Sequence, residues 1–214
     1  KGNCVTRHFL EIAGTPSVRA AQSANGSHIS LPQREVSGPS DRLTATEIAF
    51  IAERDSFYLS TVSQSGWPYV QHRGGPKGFL RVLDERRLAF LDFSGNRQYL
   101  SLGNANANDR VAVLLMDYPR RRRLKLFAHM TTKALGEVPE LEAMFALPGY
   151  EAKPERIMHF SLEAYDWNCP RHITQRFSEE ELEDALGPIR AHISRLEREN
   201  KSLREALAQR ETPP

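Results

Sequence analysis

The sequence contains few of the features that define specialised classes of protein. Cys4 and Cys169 are its only cysteines among 214 residues, too few for a disulfide scaffold, and no Cys-x-x-Cys motif occurs. The seven histidines show no spacing typical of metal ligands. No apolar run approaches the length of a membrane span, and no signal-peptide core is visible. We therefore expect no metal site, no membrane segment and a reducing, cytoplasmic environment.

An excess of charge of one sign is also absent. The 29 Lys and Arg residues nearly balance the 27 Asp and Glu residues, so no global field attracts nucleic acid. Residues 120–123 are four consecutive arginines, and such clusters can neutralise phosphates. This run lies in a predicted hairpin without stacking aromatic residues between the arginines. We predict no nucleic-acid partner.

The chain does contain a polar start, a strand-rich middle and a charged end. Residues 1–42 predict an N-terminal arm, either a mobile lead-in or an ordered segment. In residues 43–177, a capping box at Thr44 and Glu47 opens a short helix, and strand patterns alternate with turn residues. The nearly continuous apolar run 110–116 predicts a central strand buried on both faces. Residues 178–214 form the third part.

The middle part is centred on residues 67–98, which predict two strands flanking a basic, glycine-rich turn. Glycines let a ligand approach the backbone closely, and Arg73, Lys77 and Arg97 lie near them. A helix predicted over 98–108 would begin beside Arg97, and a helix N-terminus favours a phosphate. The alternative is a helix start whose arginine meets only solvent.

The segment LAFLDFSGNRQ, from Leu88 to Gln98, resembles the pyridoxamine 5′-phosphate oxidase-like family of FMN-binding split barrels. In that family a strand leads into a Ser-Arg-Lys turn that grips the FMN phosphate, and Asn96, Arg97 and Gln98 occupy that turn here. The resemblance covers about residues 43–134. It implies a mainly β fold with helices, an antiparallel split β-barrel, and a homodimer with FMN at the interface.

The resemblance also implies a cofactor site, whereas no dedicated catalytic residue is assigned because the cofactor carries the chemistry. Arg123 stands where the family has a glutamine at the pyrimidine edge of the flavin, and a cation there would favour the reduced form. Trp167 and Arg171 would complete the site across the dimer. The predicted cofactor-binding residues are Gln71, His72, Arg73, Lys77, Leu91, Asp92, Asn96, Arg97, Gln98, Arg123, Trp167 and Arg171.

The C-terminal part predicts a helix with a coiled-coil seam. A capping box at Ser178 and Glu181 opens it, and Gly187-Pro188 is expected to kink or restart it. Its seam residues follow alternating four- and three-residue spacing, with one polar residue at an a position, which favours a parallel two-stranded coiled coil. The alternative is a single helix packed on its own barrel. The seam residues are Leu182, Leu186, Ile189, Ile193, Leu196, Asn200, Leu203 and Leu207.

Together these features predict an FMN-dependent oxidoreductase, reduced by NAD(P)H or a small organic substrate and reoxidised by an acceptor such as oxygen. The C-terminal helix replaces the Arg-Leu-x-Pro region of true pyridoxamine phosphate oxidases, so we expect an activity other than pyridoxal phosphate synthesis. One alternative is a non-catalytic flavin-binding or redox-sensing module with a coiled-coil partner interface. Another is a split barrel that uses haem or a deazaflavin.

Overall fold

The computed structural model describes residues 7–27, 40–145, 149–167 and 170–211. Cys4, Cys169 and parts of the predicted arm (residues 1–6 and 28–39) lie outside these ranges. The chain divides into two compact units, Lys1–Ile173 and Thr174–Pro214.

The first unit is built around one antiparallel sheet of seven strands, in the order β2-β1-β5-β6-β7-β4-β3. This architecture confirms the mainly β, antiparallel class predicted from alternating residues and short turns. The strands are β1 (Ser56–Val62), β2 (Pro68–Gly74), β3 (Arg81–Asp84), β4 (Arg87–Phe93), β5 (Arg110–Asp117), β6 (Arg122–Ala134) and β7 (Pro154–Trp167).

The sheet curls without closing. Strands β2 and β4 lie five places apart in the strand order, yet Arg73 on β2 donates a hydrogen bond to Asp92 on β4 at 2.7 Å. Such a contact requires the two edges of the sheet, one at β2 and the other near β4, to approach each other. The fold therefore brings β2 beside a strand with which it does not pair.

Alternate residues of the strands face the core inside the curl. On β1, Phe57 and Leu59 are almost fully buried, and Phe57 packs edge-on against Phe90 and Phe160. Strand β5 is central, as predicted, but only one of its faces is fully buried, because exposure alternates along it. The expectation that both faces would be buried was therefore wrong.

Part of the N-terminal arm is ordered as two short helices, α1 (Arg7–Ala13) and α2 (Pro16–Ala24). Helix α1 packs on the sheet, where the ring of Phe9 stacks on Phe127 with centroids 4.3 Å apart. His8 also hydrogen-bonds Glu163 on β7 at 2.9 Å. Of the two expectations for the arm, the ordered segment is therefore correct for α1.

The described part of the first unit contains three further helices: α3 (Ala45–Ala52), α4 (Leu100–Ala107) and α5 (Pro139–Met144). The predicted capping box of α3 is present, since Thr44 caps the helix and Glu47 accepts the backbone N–H of Thr44 at 2.9 Å. Helix α4 corresponds to the helix predicted over 98–108.

The second unit contains one unbroken helix, α6 (Glu179–Glu211). Its first turn carries Glu179, Glu180 and Glu181, which suit the positive end of a helix. Pro188 lies inside this helix and does not restart it. A proline removes one backbone donor, and the 33-residue helix continues on both sides of that loss.

Candidate functional site

A pocket of about 210 Å³ opens where β2, β4, β7 and the start of α4 meet. Its floor comes from strands that are distant in sequence, and its rim is the turn between β4 and α4. The lining residues are Tyr69, Gln71, Arg73, Asp92, Phe93, Gly95, Asn96, Arg97, Gln98, Tyr99, Leu100, Leu102, Glu155, Arg156 and Met158.

A cluster of charged side chains forms one wall of the pocket. Asp92 accepts hydrogen bonds from Arg73 at 2.7 Å and from Arg156 at 3.2 Å, and its side chain is only 7 % exposed. Burial raises the pKa of Asp92, while the attraction of the two guanidinium groups opposes that rise. Arg156 also pairs with Glu155 at 2.8 Å. One carboxylate thus holds two arginines from different strands at the pocket.

The rim turn has an unusual backbone. Arg97 and Tyr99 are non-glycine residues with φ of 58° and 52°, in the left-handed region that costs free energy for a residue with a side chain. The side chain of Asn96 supports this turn, because its Oδ1 accepts the backbone N–H of Gln98 at 3.2 Å and its Nδ2 donates to Oε1 of Gln98 at 3.1 Å. Strained backbone of this kind occurs more often at binding sites than elsewhere.

Tyr99 links the rim to the charged wall. Its hydroxyl donates to Glu155 at 3.2 Å, and the guanidinium of Arg156 lies 4.9 Å from its ring centroid. A hydrogen bond with Tyr99 also raises the pKa of Arg97. The three arginines of the pocket outnumber its two carboxylates, which leaves an excess of one positive charge.

Helix α4 begins at the pocket. Its N-cap residue is Tyr99, whose side chain makes no capping hydrogen bond, so the first-turn N–H groups lack this partner. The helix is anchored on the sheet by two side-chain contacts, from Ser101 to Gln71 at 3.1 Å and from Asn104 to Thr61 at 2.9 Å. A helix N-terminus held beside arginines suits an anionic group such as a phosphate.

The structure brings six of the predicted residues together in this pocket. They come from β2, from β4 and from the rim turn, and their proximity results from the curl of the sheet. These six residues are Gln71, Arg73, Asp92, Asn96, Arg97 and Gln98. Asp92 contributes through its carboxylate.

The other six predicted residues do not line the pocket. His72 lies on the opposite face of β2 from Gln71 and Arg73, with its ring 5.6 Å from that of Tyr58. The side chain of Leu91 packs instead with the small cluster around Phe145.

Trp167 belongs to a separate cluster near the start of α3. Its indole N–H donates to the buried Glu47 at 2.6 Å, its ring meets Phe50 edge-on, and Arg122 lies 4.5 Å over it. Arg123 is half-buried at the start of β6, while Lys77 and Arg171 are exposed in turns. None of these four lines the pocket.

The four consecutive arginines separate into different environments. Arg120 pairs with Asp117 at 3.3 Å, and Arg122 lies over the rings of Phe50 and Trp167. Arg120 and Arg122 are therefore engaged with other side chains of the first unit.

Sequence reasoning missed Tyr99, Glu155 and Arg156 as pocket residues. Nothing local in the sequence distinguishes Arg156 from an ordinary surface arginine. Its position follows from the pairing of β4 with β7, in which Asp92 lies opposite Arg156. A charge-pair search across predicted antiparallel strands could have found it.

Among the described residues, no group of three or more His, Cys, Asp or Glu side chains could hold a metal ion. No helix in the described part of the chain has both the length and the apolar composition needed to cross a membrane.

Residues 43–161 match the family model described as Pyridoxamine 5′-phosphate oxidase, which extends beyond the segment 43–134 that carried the resemblance. A search of curated proteins found no match. Similar solved structures include HupZ of Group A Streptococcus, with 14 % identity and a TM-score of 0.47 over 57 % of this chain and 92 % of that one.

General stress protein 26 of Bacillus anthracis is also similar, with 14 % identity and a TM-score of 0.43 over 57 % of this chain and 91 % of that one. A third similar structure is an FMN-binding protein from Syntrophomonas wolfei, with 10 % identity and a TM-score of 0.43 over 56 % and 81 % of the two chains.

Proposed function

Since the chain belongs to the pyridoxamine 5′-phosphate oxidase family, with its split-barrel fold, we propose that it binds FMN in the pocket described above. The observation that carries this proposal is the convergence of Arg73, Arg97 and Arg156 at the N-terminus of α4. The phosphate of FMN is a dianion, and both arginines and helix N-termini favour such a group.

The residues present fit this cofactor. Among the described residues, Nε of Arg73 is buried without a hydrogen-bond partner, so this donor is available to a ligand. Arg97, Asn96 and Gln98 are exposed on the rim, where they can contact a phosphate without displacing packed side chains. Arg97 is the residue expected to bind it most strongly, because its guanidinium is charged and pairs with no carboxylate in the described contacts.

The binding proposal is tested by titrating FMN into the purified protein and following flavin fluorescence. Arg97→Ala should weaken FMN binding by at least about tenfold, because it removes a charge-assisted contact to the phosphate. Arg121→Ala is the matched control, since Arg121 is also an exposed arginine in the left-handed region but lies in the β5–β6 turn. Equal dissociation constants for the two variants would contradict the phosphate assignment.

We propose further that two copies of the chain form the complete site. A pocket of about 210 Å³ is below the roughly 300–1,000 Å³ typical of sites for ligands of this size, so one chain encloses only part of FMN. Residues of a second copy would supply the missing wall, and Trp167, Arg171, His72 and Arg123 remain candidates there. Light scattering with and without FMN is expected to give twice the chain mass of 24.3 kDa.

The proposed activity is that of an FMN-dependent oxidoreductase that takes electrons from NAD(P)H or a small organic substrate and transfers them to an acceptor such as oxygen. Bound FMN supplies the hydride chemistry. The protein's contribution is to hold the phosphate at Arg97 and to set the charge around the site with Arg73, Asp92 and Arg156. A net positive pocket favours a reduced, anionic flavin.

A non-catalytic flavin-binding or redox-sensing role is the second candidate. It is favoured by the carboxylates of the pocket, since Asp92 and Glu155 are both engaged with arginine and so are poorly placed to act as general acids or bases. Anaerobic visible spectra of the FMN-loaded protein distinguish the two roles. Bleaching by NADPH or NADH, with recovery in air, supports the oxidoreductase, whereas a spectrum that stays unchanged with both donors supports either binding or sensing, or a small organic substrate as the electron donor.

A further inference from the structure

Helix α6 carries an exposed apolar stripe that is interrupted at Asn200. Its seven apolar members are between 38 % and 60 % exposed, and they span 26 positions, or about 38 Å of helix. Buried apolar side chains are what stabilise a helix of this kind, so such a stripe calls for a partner. The stripe consists of Leu182, Leu186, Ile189, Ile193, Leu196, Leu203 and Leu207.

The stripe is too narrow for packing against the core of a globular domain. It occupies only positions a and d of a heptad repeat, whereas a helix that covers a core has an apolar face of three or four residues in two turns. The flanking e and g positions are largely charged or polar, which confines apolar contact to the a and d positions. They include Glu183, Arg190, His192, Glu197, Glu199 and Arg204.

We propose that α6 binds α6 of a second copy of this chain as a parallel, in-register, two-stranded coiled coil whose polar layer is Asn200. This inference stands apart from FMN binding, because it uses no residue of the pocket. It goes beyond a dimer as such, since it fixes the interacting surface, the orientation of the two helices and their register.

Charge complementarity supports a second copy as the partner. In a parallel pair, each g residue meets the e residue five positions later on the other helix. His192 would then face the partner's Glu197, and Glu199 would face the partner's Arg204. Neither pair brings like charges together, and the second is an ion pair. Each is repeated by two-fold symmetry.

The remaining charged e residues are satisfied within one helix. Glu183 and Arg190 would face the uncharged Ser178 and Ala185 of the partner, and in the structure they form an ion pair with each other. Glu183 and Arg190 are thus paired along their own helix, whereas Glu197 and Arg204 are paired across the interface. Every one of these four charged e residues therefore has a partner.

Asn200 decides the orientation. Charge alone is compatible with either direction, because Arg190 and Glu197 could also approach each other in an antiparallel pair. With the seams fully overlapped, an antiparallel pair would place Asn200 opposite Ile189, leaving a polar amide against an apolar side chain. A parallel, in-register pair places Asn200 opposite Asn200 of the partner, where the two amides can hydrogen-bond to each other.

Disulfide cross-linking in the full-length chain tests the proposal. Cys4 and Cys169 are first replaced by serine, and single cysteines are then introduced by Ile189→Cys, Leu203→Cys or Arg198→Cys. The first two positions lie at d in the seam, and the third lies at f on the outer face and is the control. After mild oxidation, non-reducing gels measure the covalent dimer, and far-ultraviolet circular dichroism verifies the fold of each variant.

The proposal predicts that the Ile189 and Leu203 variants cross-link at least about tenfold faster than the Arg198 variant, because the paired helices impose a high effective concentration. A barrel dimer that only brought loose helices together would cross-link all three alike and would overturn it. Cross-linking confined to a mixture of Leu186→Cys and Leu203→Cys chains would show an antiparallel pair and would also overturn it. So would the absence of cross-links at both seam positions.

Discussion

At the scale of single residues, Glu47 shows how a buried charge is stabilised. Burial alone would raise the pKa of Glu47, but hydrogen bonds from Thr44 and Trp167 outweigh it, and the pKa lies below its ordinary value of 4.5. The same carboxylate completes the N-terminal cap of α3 and receives the indole N–H of β7. One side chain therefore joins a local helix signal to a distant strand.

We expect Trp167→Phe to lower the free energy of unfolding by about 1.5–3 kcal/mol at neutral pH, because it removes a hydrogen bond to a buried carboxylate while keeping an aromatic ring against Phe50. Since the pKa of Glu47 is lowered in the folded state, this contribution is present above the ordinary value of 4.5 and is lost as the pH falls through the depressed value. Urea unfolding at pH 7 and at pH 3 measures it. An equal loss at both pH values would contradict the role of the charge.

Asp92 is the residue whose replacement should most affect the pocket wall. Asp92→Ala removes the acceptor that Arg73 and Arg156 share, and leaving two largely buried guanidinium groups without this partner costs about 3 kcal/mol of stability. Asp84→Ala is a matched control on the same sheet, since Asp84 pairs with Arg87 but its side chain is 41 % exposed. Exposed pairs contribute at most about 1 kcal/mol, so the control should remain close to the parent in urea unfolding. Similar losses of unfolding free energy for both variants would show that the buried Asp92 contacts stabilise the fold no more than the exposed Asp84 pair does.

At the scale of elements, α4 and α6 illustrate opposite uses of a helix. Helix α4 has eight residues, is held on the sheet by Ser101 and Asn104, and presents its N-terminus to the pocket. Helix α6 has 33 residues and an exposed apolar stripe. The role of α4 follows from its position against the sheet. The role proposed for α6 depends on the apolar spacing of its own sequence.

The polar layer of α6 can be tested at this scale. Asn200→Val is expected to raise the thermal stability of the helical dimer and to weaken the preference for one register and one oligomeric state, because a buried polar pair specifies pairing at a cost in stability. Ser202→Val provides the control, since residue 202 lies outside the a and d positions. Circular dichroism melts and sedimentation measure both properties. A fall in stability for Asn200→Val alone would contradict a buried a-position asparagine.

At the scale of the whole molecule, the two units can be assessed separately. The first unit has its own core, formed mainly by the inward-facing side chains of the curled sheet. The second unit consists chiefly of α6. We propose that the barrel performs the flavin chemistry and that the helix strengthens dimerisation.

Removing residues 188–214 should leave the first unit folded while weakening dimerisation. The reason is that the described core residues of the sheet all belong to the first unit, whereas the proposed coil would be lost entirely. Sedimentation over a range of concentrations measures the dimer, and thermal unfolding of the truncated chain measures the fold. A full-length Ile193→Lys and Leu196→Lys double variant separates loss of the seam from loss of chain length. Unchanged dimerisation in both proteins would show that α6 is not a main dimer contact.

Local sequence patterns determined several elements correctly. The capping box at Thr44 and Glu47, the alternating strands and the 3-4 spacing of α6 all act within a few residues, so each could be recognised without knowing the rest of the fold. The family resemblance additionally predicted Asn96, Arg97 and Gln98 as site residues, and they lie in the rim turn of the pocket. The expectation of two buried faces for β5 failed because its apolar composition does not reveal which neighbours cover each face.

Only the tertiary structure decided which residues surround the pocket. Arg73, Asp92 and Arg156 lie on three strands far apart in the chain, and they meet because β4 pairs with β7 while the curl of the sheet brings β2 beside β4. A different pairing, that of β6 with β7, places Trp167 opposite Leu124, and its indole N–H reaches Glu47 away from the pocket. The sequence by itself determined the elements, since their hydrogen bonds and periodicities are local. The pocket depended on contacts between distant strands, whose geometry no local pattern specifies.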